Sequence, residues 1–151
     1  MPAPALPRDL EVLVVDTGAS ATTQGMVDRV LALPDRAARL TAIGRAATSF
    51  LNACATDDAE ALIAAVDAAR SGMVALGAAA GVDIVSEQHA RIAAVAASLG
   101  GAAKPSGAGG GDIAVAFVPR ARAAELRAAL SAAALPVVDV RIGAPGVRID
   151  P

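Results

Sequence analysis

The pattern of hydrophobic and polar residues divides the chain into strand and helix segments. Uninterrupted apolar runs within 11–16 and 113–118 predict two buried strands. Between them, apolar residues spaced three and four apart predict four helices. A helix that opens at Pro119-Arg120 and a partly exposed, alternating strand over 135–142 complete the chain. The predicted order is strand, four helices, glycine-rich loop, strand, helix and strand.

Polar residues mark the predicted helix starts, because a side chain that accepts a hydrogen bond from the first turn stabilises a helix. An acidic residue followed three positions later by Glu also resembles a capping box. The predicted starts are Ser20, Thr22 or Thr23 for the first helix, Pro34-Asp35 for the second, Asp57-x-x-Glu60 for the third and Ser86 for the fourth. The second and third helices form a hairpin packed through alanines, which ends at Gly81-Val82-Asp83.

This order predicts an α+β fold in which a small, mainly antiparallel sheet is covered on one face by helices. A length of 151 residues indicates one domain with a substantial core. We place that domain at residues 10–143. Residues 1–9, with three prolines, are expected to be a disordered lead, and residues 144–151 a short tail.

Composition and charge exclude several classes of function. Hydrophobic residues make up 55% of the chain and aromatic residues only 1%, so the core must be built from Ala, Val, Leu and Ile. The formal net charge is −2. Binding to nucleic acid or to an anionic membrane requires clustered excess cations, so we expect neither partner.

The sequence also predicts a soluble, cytoplasmic protein. Its single cysteine, Cys54, cannot form an internal disulfide and lies on the apolar face of a predicted helix. The first nine residues lack the apolar run of a signal peptide. Arg or Asp interrupts each alanine-rich segment before it reaches the roughly 18 uncharged residues of a membrane-spanning helix.

His89 is the single histidine of the chain, and it lies on the apolar side of the fourth predicted helix. This position favours a partly buried, hydrogen-bonded ring over a catalytic base. No second histidine, cysteine or carboxylate cluster has the spacing of metal ligands, so we assign no metal to the protein's own side chains.

The most informative stretch is the glycine-rich segment 100–112, which contains six glycines and leads directly into a predicted core strand. Such a cluster serves a tight connection with positive φ angles, a backbone concavity whose N–H groups hold a phosphate, or a flexible linker. The linker is disfavoured because Lys104, Ser106 and Asp112 frame the glycines. Dinucleotide-binding and P-loop motifs do not fit, since both precede a helix.

Lys104 favours the phosphate interpretation. It is the single lysine in a chain that has Arg at its other basic positions. An ammonium is a compact, mobile point charge that can follow a phosphate, whereas guanidinium is a rigid fork.

The segment 103–112 resembles the third motif of the GHMP kinases. Its sequence, Ala-Lys-Pro-Ser-Gly-Ala-Gly-Gly-Gly-Asp, is most similar to that of the phosphomevalonate kinases. Thr17-Gly18-x-x-Ala21-Thr22-Thr23-x-x-Met26-Val27 is similar to the run that begins the C-terminal half of phosphomevalonate kinases. Asp16, before that run, is more like mevalonate kinase. The resemblance covers 11–141 and implies the ferredoxin-like C-terminal domain of this family.

The resemblance implies a loop at 104–112 that closes over a transferring phosphate, with Lys104 as counter-charge, Ser106 as hydrogen-bond donor and the glycine amides as a cradle. Thr17, Gly18 and Thr22 would border the acceptor, which is 5-phosphomevalonate or, as the runner-up, mevalonate. No residue is assigned as certainly catalytic. The implied phosphate-binding residues are Lys104, Ser106, Gly107, Ala108, Gly109, Gly110, Gly111 and Asp112. ATP and Mg²⁺ are implied for a complete enzyme.

In GHMP kinases the N-terminal half carries a Pro-x-x-x-Gly-Leu-Gly-Ser-Ser-Ala loop, and nothing in this sequence matches it. We therefore expect one wall of an active site, with no firmly bound nucleotide and with little activity alone. Three alternatives stay open: a split enzyme that pairs with an N-terminal half, a non-catalytic ligand-binding or homodimeric module, and a truncated gene product or fragment.

Overall fold

Four strands and five α-helices make up the part of the chain that the computed structural model describes, residues 5–20 and 22–140. Four helices follow the first strand, and two further strands, a helix and a last strand complete the order. The elements are β1 (Leu10–Asp16), α1 (Thr23–Leu31), α2 (Arg36–Thr56), α3 (Ala59–Ala80), α4 (Glu87–Ser98), β2 (Ala102–Pro105), β3 (Ile113–Pro119), a 3₁₀ turn (Arg120–Arg122), α5 (Ala123–Ala132) and β4 (Val137–Val138).

The strands form one sheet in the order β2-β3-β1-β4, and each neighbouring pair is antiparallel. The β1–β3 pair is the longest and runs from Leu10 opposite Pro119 to Asp16 opposite Ile113. The two apolar runs of the sequence are therefore the two interior strands. The predicted α+β fold with a small antiparallel sheet is confirmed.

Strand β2 is a correction to the sequence prediction, which treated all of 100–112 as loop. Residues Ala102 to Pro105 pair with β3 from Phe117 to Ala114. A four-residue edge strand rich in alanine has little local signal of its own, and its hydrogen bonds come from a partner strand that follows in the sequence. Lys104 consequently lies on a strand, opposite Val115.

The two faces of the sheet belong to two hydrophobic clusters, because side chains alternate along each strand. The cluster with α4 and α5 contains Leu13, Val15, Ile92, Ala96, Ala103, Ala114, Ala116, Val118, Leu126 and Leu130, all buried. The cluster with the α2–α3 hairpin contains Leu10, Ala53, Leu62, Val66, Ala102 and Phe117. Helices α4 and α5 therefore cover one face, and the hairpin covers part of the other, whereas the sequence predicted helices on one face only.

Aromatic contact fixes the hairpin against the sheet. The rings of Phe50 on α2 and Phe117 on β3 meet edge to face, with centroids 5.7 Å apart. The hairpin itself is close-packed at Gly72, where a Cβ atom would lie 2.8 Å from Ile43 Cγ1. This agrees with the predicted packing of α2 and α3 through small residues.

The capping residues at the helix starts agree only in part with those predicted from the sequence. The Ser86 hydroxyl accepts the amide of His89 and caps α4 as predicted. Helix α3 is capped by Asp58, which accepts the amide of Ala61, and not by Asp57 as predicted. At the start of α1, Thr22 makes no capping bond through its side chain.

Asp57 has another role in the structure. It ends α2 in a left-handed conformation with φ of 56°. Its carboxylate pairs with Arg8, with an oxygen 2.7 Å from Nη2. Pro7 is fully buried and Leu6 packs against the hairpin cluster, so residues 5–9 lie against the domain. The domain boundaries at 10 and 143 remain a prediction.

The last predicted strand, 135–142, is paired only at Val137 and Val138, which lie beside β1. Leu135 is buried in the α4–α5 cluster. Residues 141–142 and the predicted tail at 144–151 lie outside the described residues.

Helix α3 is the one helix of the described ranges that is long and apolar enough to cross a membrane. A core helix of a soluble protein has the same composition, and α3 buries Leu62, Val66 and Leu76 inside the domain.

Candidate functional site

The glycine-rich loop between β2 and β3 is fastened to the domain at three amides. Ser106 donates to the Ile113 carbonyl at 3.1 Å and closes the β2–β3 connection. Gly110 donates to the Ile84 carbonyl at 2.8 Å, and Asp112 donates to the Ala19 carbonyl. The loop is therefore a shaped connection held from both sides, and not a flexible linker.

Two glycines of this loop are required by close approach of other backbone. Gly109 has φ of +88°, and a Cβ atom there would collide with the carbonyl oxygen of Ile84. At Gly111 a Cβ atom would lie 2.6 Å from the carbonyl oxygen of Ala19. Only glycine fits both positions without displacing the backbone.

Four further amides of the loop have no acceptor among the described residues: those of Gly107, Ala108, Gly109 and Gly111. Successive N–H groups left unpaired in a turn conformation form a concavity suited to an anion. The amides of Ser106, Gly110 and Asp112 are used within the protein. Three of the four amides, those of Gly107, Ala108 and Gly109, are successive, while Gly111 follows the bonded Gly110; that they hold a phosphate stays a prediction.

The end of β1 joins the end of this loop at Thr17. The Thr17 amide and hydroxyl both donate to the Asp112 carbonyl, at 2.9 and 2.8 Å. Thr17 is buried. Gly18 follows with φ of +70°, and its amide donates to Asp16 Oδ1 at 2.8 Å. The two stretches singled out in the sequence, 95 residues apart, therefore meet.

Thr22 lies at a separate cleft of about 370 Å³ beside the same loop, with both polar and apolar groups in its lining. The cleft is lined by Ser20, Thr22, Gly25, Met26, Arg29, Gly81, Val82, Asp83 and Gly110. Thr22 is exposed and makes no capping bond, so its hydroxyl is available to a ligand.

Arg29 is a residue of this cleft that the sequence reasoning missed. Its Nη1 donates to the Gly81 carbonyl at 3.3 Å, which ties α1 to the end of α3. The spacing of the sequence could have revealed Arg29, because Thr22, Met26 and Arg29 are four and three residues apart and so fall on one side of a helix. The cleft therefore combines the Arg29 guanidinium, the Asp83 carboxylate, two hydroxyls and a loop glycine.

Lys104 is half-buried on β2 and faces an apolar cavity of about 710 Å³. Its Nζ donates to the Pro105 carbonyl at 2.9 Å. Burial lowers the pKa of the Lys104 ammonium from its usual value. No carboxylate within the described ranges lies within ion-pairing distance of Nζ.

His89 supports the loop from behind and is fully buried. Its Nδ1 accepts the Ser86 amide at 3.3 Å and lies 2.8 Å from Ser86 Oγ, while Nε2 lies 3.4 Å from the Ile113 carbonyl. A backbone donor at Nδ1 and a backbone acceptor at Nε2 define the neutral ring with its proton on Nε2. Burial lowers the pKa of His89. The predicted hydrogen-bonded core histidine is confirmed.

Potential metal ligands do not cluster among residues 5–20 and 22–140, where no group of three His, Cys, Asp or Glu side chains could hold an ion. That the protein's own side chains bind no metal stays a prediction.

No family model and no curated protein matches the sequence. Solved structures do match. A Lin0012 protein from Listeria innocua has a TM-score of 0.80 and 27% identity over 85% of this chain. Streptococcus pneumoniae phosphomevalonate kinase in complex with phosphomevalonate and AMPPNP has a TM-score of 0.76 and 23% identity over 89% of this chain. A second structure of that kinase has a TM-score of 0.73 and 21% identity over 89% of this chain.

This chain has the fold of a GHMP-kinase C-terminal domain. The likeness expected from the motifs at 17–27 and 103–112 is confirmed at the level of the fold. The match covers 38%, 40% and 41% of the three solved chains, so this chain spans about two fifths of their length.

Proposed function

We propose that this chain supplies the C-terminal part of the active site of an ATP-dependent small-molecule kinase that phosphorylates 5-phosphomevalonate. One observation carries the proposal: four unpaired amides lie in a loop that is fastened on both sides and joined to Thr17. The structural likeness to an enzyme solved with phosphomevalonate and AMPPNP supports it.

Phosphoryl transfer requires little covalent chemistry from the protein. Phosphoryl transfer is accelerated mainly by positioning two polyanions in line and by stabilising the charge that develops on the transferring group. The amides of Gly107, Ala108, Gly109 and Gly111 would hold phosphate oxygens, and the Ser106 hydroxyl would donate one further bond. In a complete enzyme, ATP with Mg²⁺ would supply the phosphoryl group.

Lys104 would act as the counter-charge to the phosphate. Its Nζ donates to the Pro105 carbonyl in the present geometry, so contact with a phosphate requires that bond to be exchanged. A lysine can do this because its ammonium is a point charge on a flexible stem.

Residues that follow β1 would have two different roles, positioning the glycine loop and contacting the acceptor. The Thr17 hydroxyl donates to Asp112, so Thr17 would position the glycine loop. Gly18 and Thr22 would border the acceptor, together with Arg29, whose guanidinium lines the cleft along with the Asp83 carboxylate. A phosphorylated acceptor suits such a cleft, because guanidinium pairs well with phosphate.

A test requires a complete active site. We would co-express the chain with the N-terminal half of a phosphomevalonate kinase that carries the Gly-Leu-Gly-Ser-Ser loop, and measure ADP release with 5-phosphomevalonate and with mevalonate. We expect turnover with the first substrate. Preference for mevalonate would instead support the alternative favoured by Asp16, whose carboxylate accepts the Gly18 amide.

Two variants refine that test. Lys104→Ala should lower kcat/KM at least ~100-fold, because it removes a charge interaction made in the transition state. Arg45→Ala removes an exposed cation of α2 and should leave kcat/KM unchanged. Equal activity of Lys104→Ala and wild type would show the assigned role to be wrong.

A homodimer that never restores activity with any N-terminal half would favour a non-catalytic module. A cytoplasmic location follows from the proposed use of ATP.

A further inference from the structure

The hydrophobic walls of the cavity that Lys104 faces have no role in the kinase proposal, although Lys104, Gly107 and Ala108, which also line it, do. The cavity lies between α1, the α2–α3 hairpin and the sheet face of β2 and β3, and its volume is about 710 Å³. Its walls include Met26, Val30, Ile43, Phe50, Met73 and Leu76. Size and lining are those of a small-molecule pocket, which is mostly apolar with a few placed polar groups.

Helix α1 closes this cavity only loosely. It has no buried residue, whereas α2 buries two and α3 buries five. Val27 and Leu31 on α1 are 39% and 57% exposed, and Leu51 on α2 is 55% exposed, although all three line the cavity. An apolar ligand would therefore gain burial for side chains that now contact water.

Polar groups converge on the cavity at one place only. Lys104 is the one charged side chain on its walls within residues 5–20 and 22–140. Gly107 and Ala108, three and four residues further along the chain, line it as well, and their amides have no acceptor among the described residues. One ammonium and two amide donors match a single carboxylate, which accepts several hydrogen bonds through two oxygens.

We infer that this cavity binds a linear aliphatic carboxylate, with the hydrocarbon chain between the hairpin and the sheet and the carboxylate against Lys104, Gly107 and Ala108. A single positive charge neutralises a monoanion. This inference does not depend on the proposed kinase function, because it concerns binding to this chain alone.

Titration calorimetry with decanoate tests it on the chain as it is, with 1-decanol as the uncharged probe of the same length. We expect saturable binding of one decanoate per chain and at least tenfold weaker binding of decanol. Lys104→Met keeps an apolar stem and removes the charge, so it should abolish that preference. Arg45→Met removes an exposed cation outside the cavity and should bind like wild type.

Ala69→Phe fills the cavity with a side chain and should abolish binding of both probes. Circular dichroism would verify its fold, and if it fails to fold the comparison of Lys104→Met with Arg45→Met decides. The inference is overturned if decanoate does not saturate, if Lys104→Met and wild type show the same preference, or if folded Ala69→Phe still binds.

Discussion

Gly109 shows how one residue fixes the shape of the glycine loop. Its positive φ and the adjacent Ile84 carbonyl leave no room for a side chain. We expect Gly109→Ala to lower the free energy of unfolding by ~2 kcal/mol or more, because backbone strain and collision add. Urea denaturation measures this.

The same loop offers a matched control. Gly107 has no atom within 4 Å of a Cβ position and no positive φ. Gly107→Ala should therefore change the free energy of unfolding by less than about 0.5 kcal/mol. If both variants lose the same stability, the tight contact with Ile84 is not what constrains the loop.

His89 should make stability depend on pH. Burial lowers the pKa of the folded-state ring, so the unfolded chain binds the proton more readily. The stabilisation is then fully present above about pH 6.5, where a free histidine titrates, and is lost as pH falls. The hydrogen bond to the Ile113 carbonyl and the Asp112 carboxylate oppose this lowering of the pKa only in part.

We expect the melting temperature of wild type to fall more between pH 7.5 and 5.5 than that of His89→Gln, measured by scanning calorimetry. The variant has a lower melting temperature at pH 7.5, since Ser86 and Ile113 lose their partner. Parallel pH profiles of the two proteins would contradict the neutral buried ring.

At the level of elements, the start of α3 rests on Asp58. Its carboxylate accepts the Ala61 amide at 2.9 Å. Asp58→Ala should lower the free energy of unfolding by about 1 kcal/mol, the usual value of an N-cap. Chemical denaturation of the purified chain measures it.

Thr22→Ala is the control at the start of α1, where the side chain makes no capping bond. We expect almost no change in the free energy of unfolding. A loss there as large as at Asp58 would mean that capping does not distinguish the two helices.

Element type was largely predictable, and element boundaries less so. Asp57 and Asp58 are chemically identical, and only the left-handed backbone of Asp57 and its pairing with Arg8 decide which one caps α3. Strand β2 was missed for a similar reason. Its residues become a strand because β3 lies beside them.

For the whole molecule, the cluster between hairpin and sheet should carry much of the stability. Leu62 is fully buried there with Leu10 and Phe117. Leu62→Ala should lower the free energy of unfolding by about 2–5 kcal/mol, because it leaves a cavity in a packed core. Leu40→Ala, at a position 46% exposed, should change it far less.

Denaturation of both variants in urea measures the difference. Similar losses at Leu62 and Leu40 would show that the hairpin does not pack against the sheet as described.

The sequence by itself determined the α+β class, the two interior strands, the helical hairpin and the glycine loop, because these depend on the local periodicity of apolar residues and on where glycine falls. It also singled out Lys104 by its rarity. Tertiary structure alone decided that Thr17 bonds to Asp112, that Arg29 enters the cleft and that Lys104 faces an apolar cavity. Those facts depend on contacts between residues far apart in the chain, and no local pattern specifies which distant backbone a residue will meet.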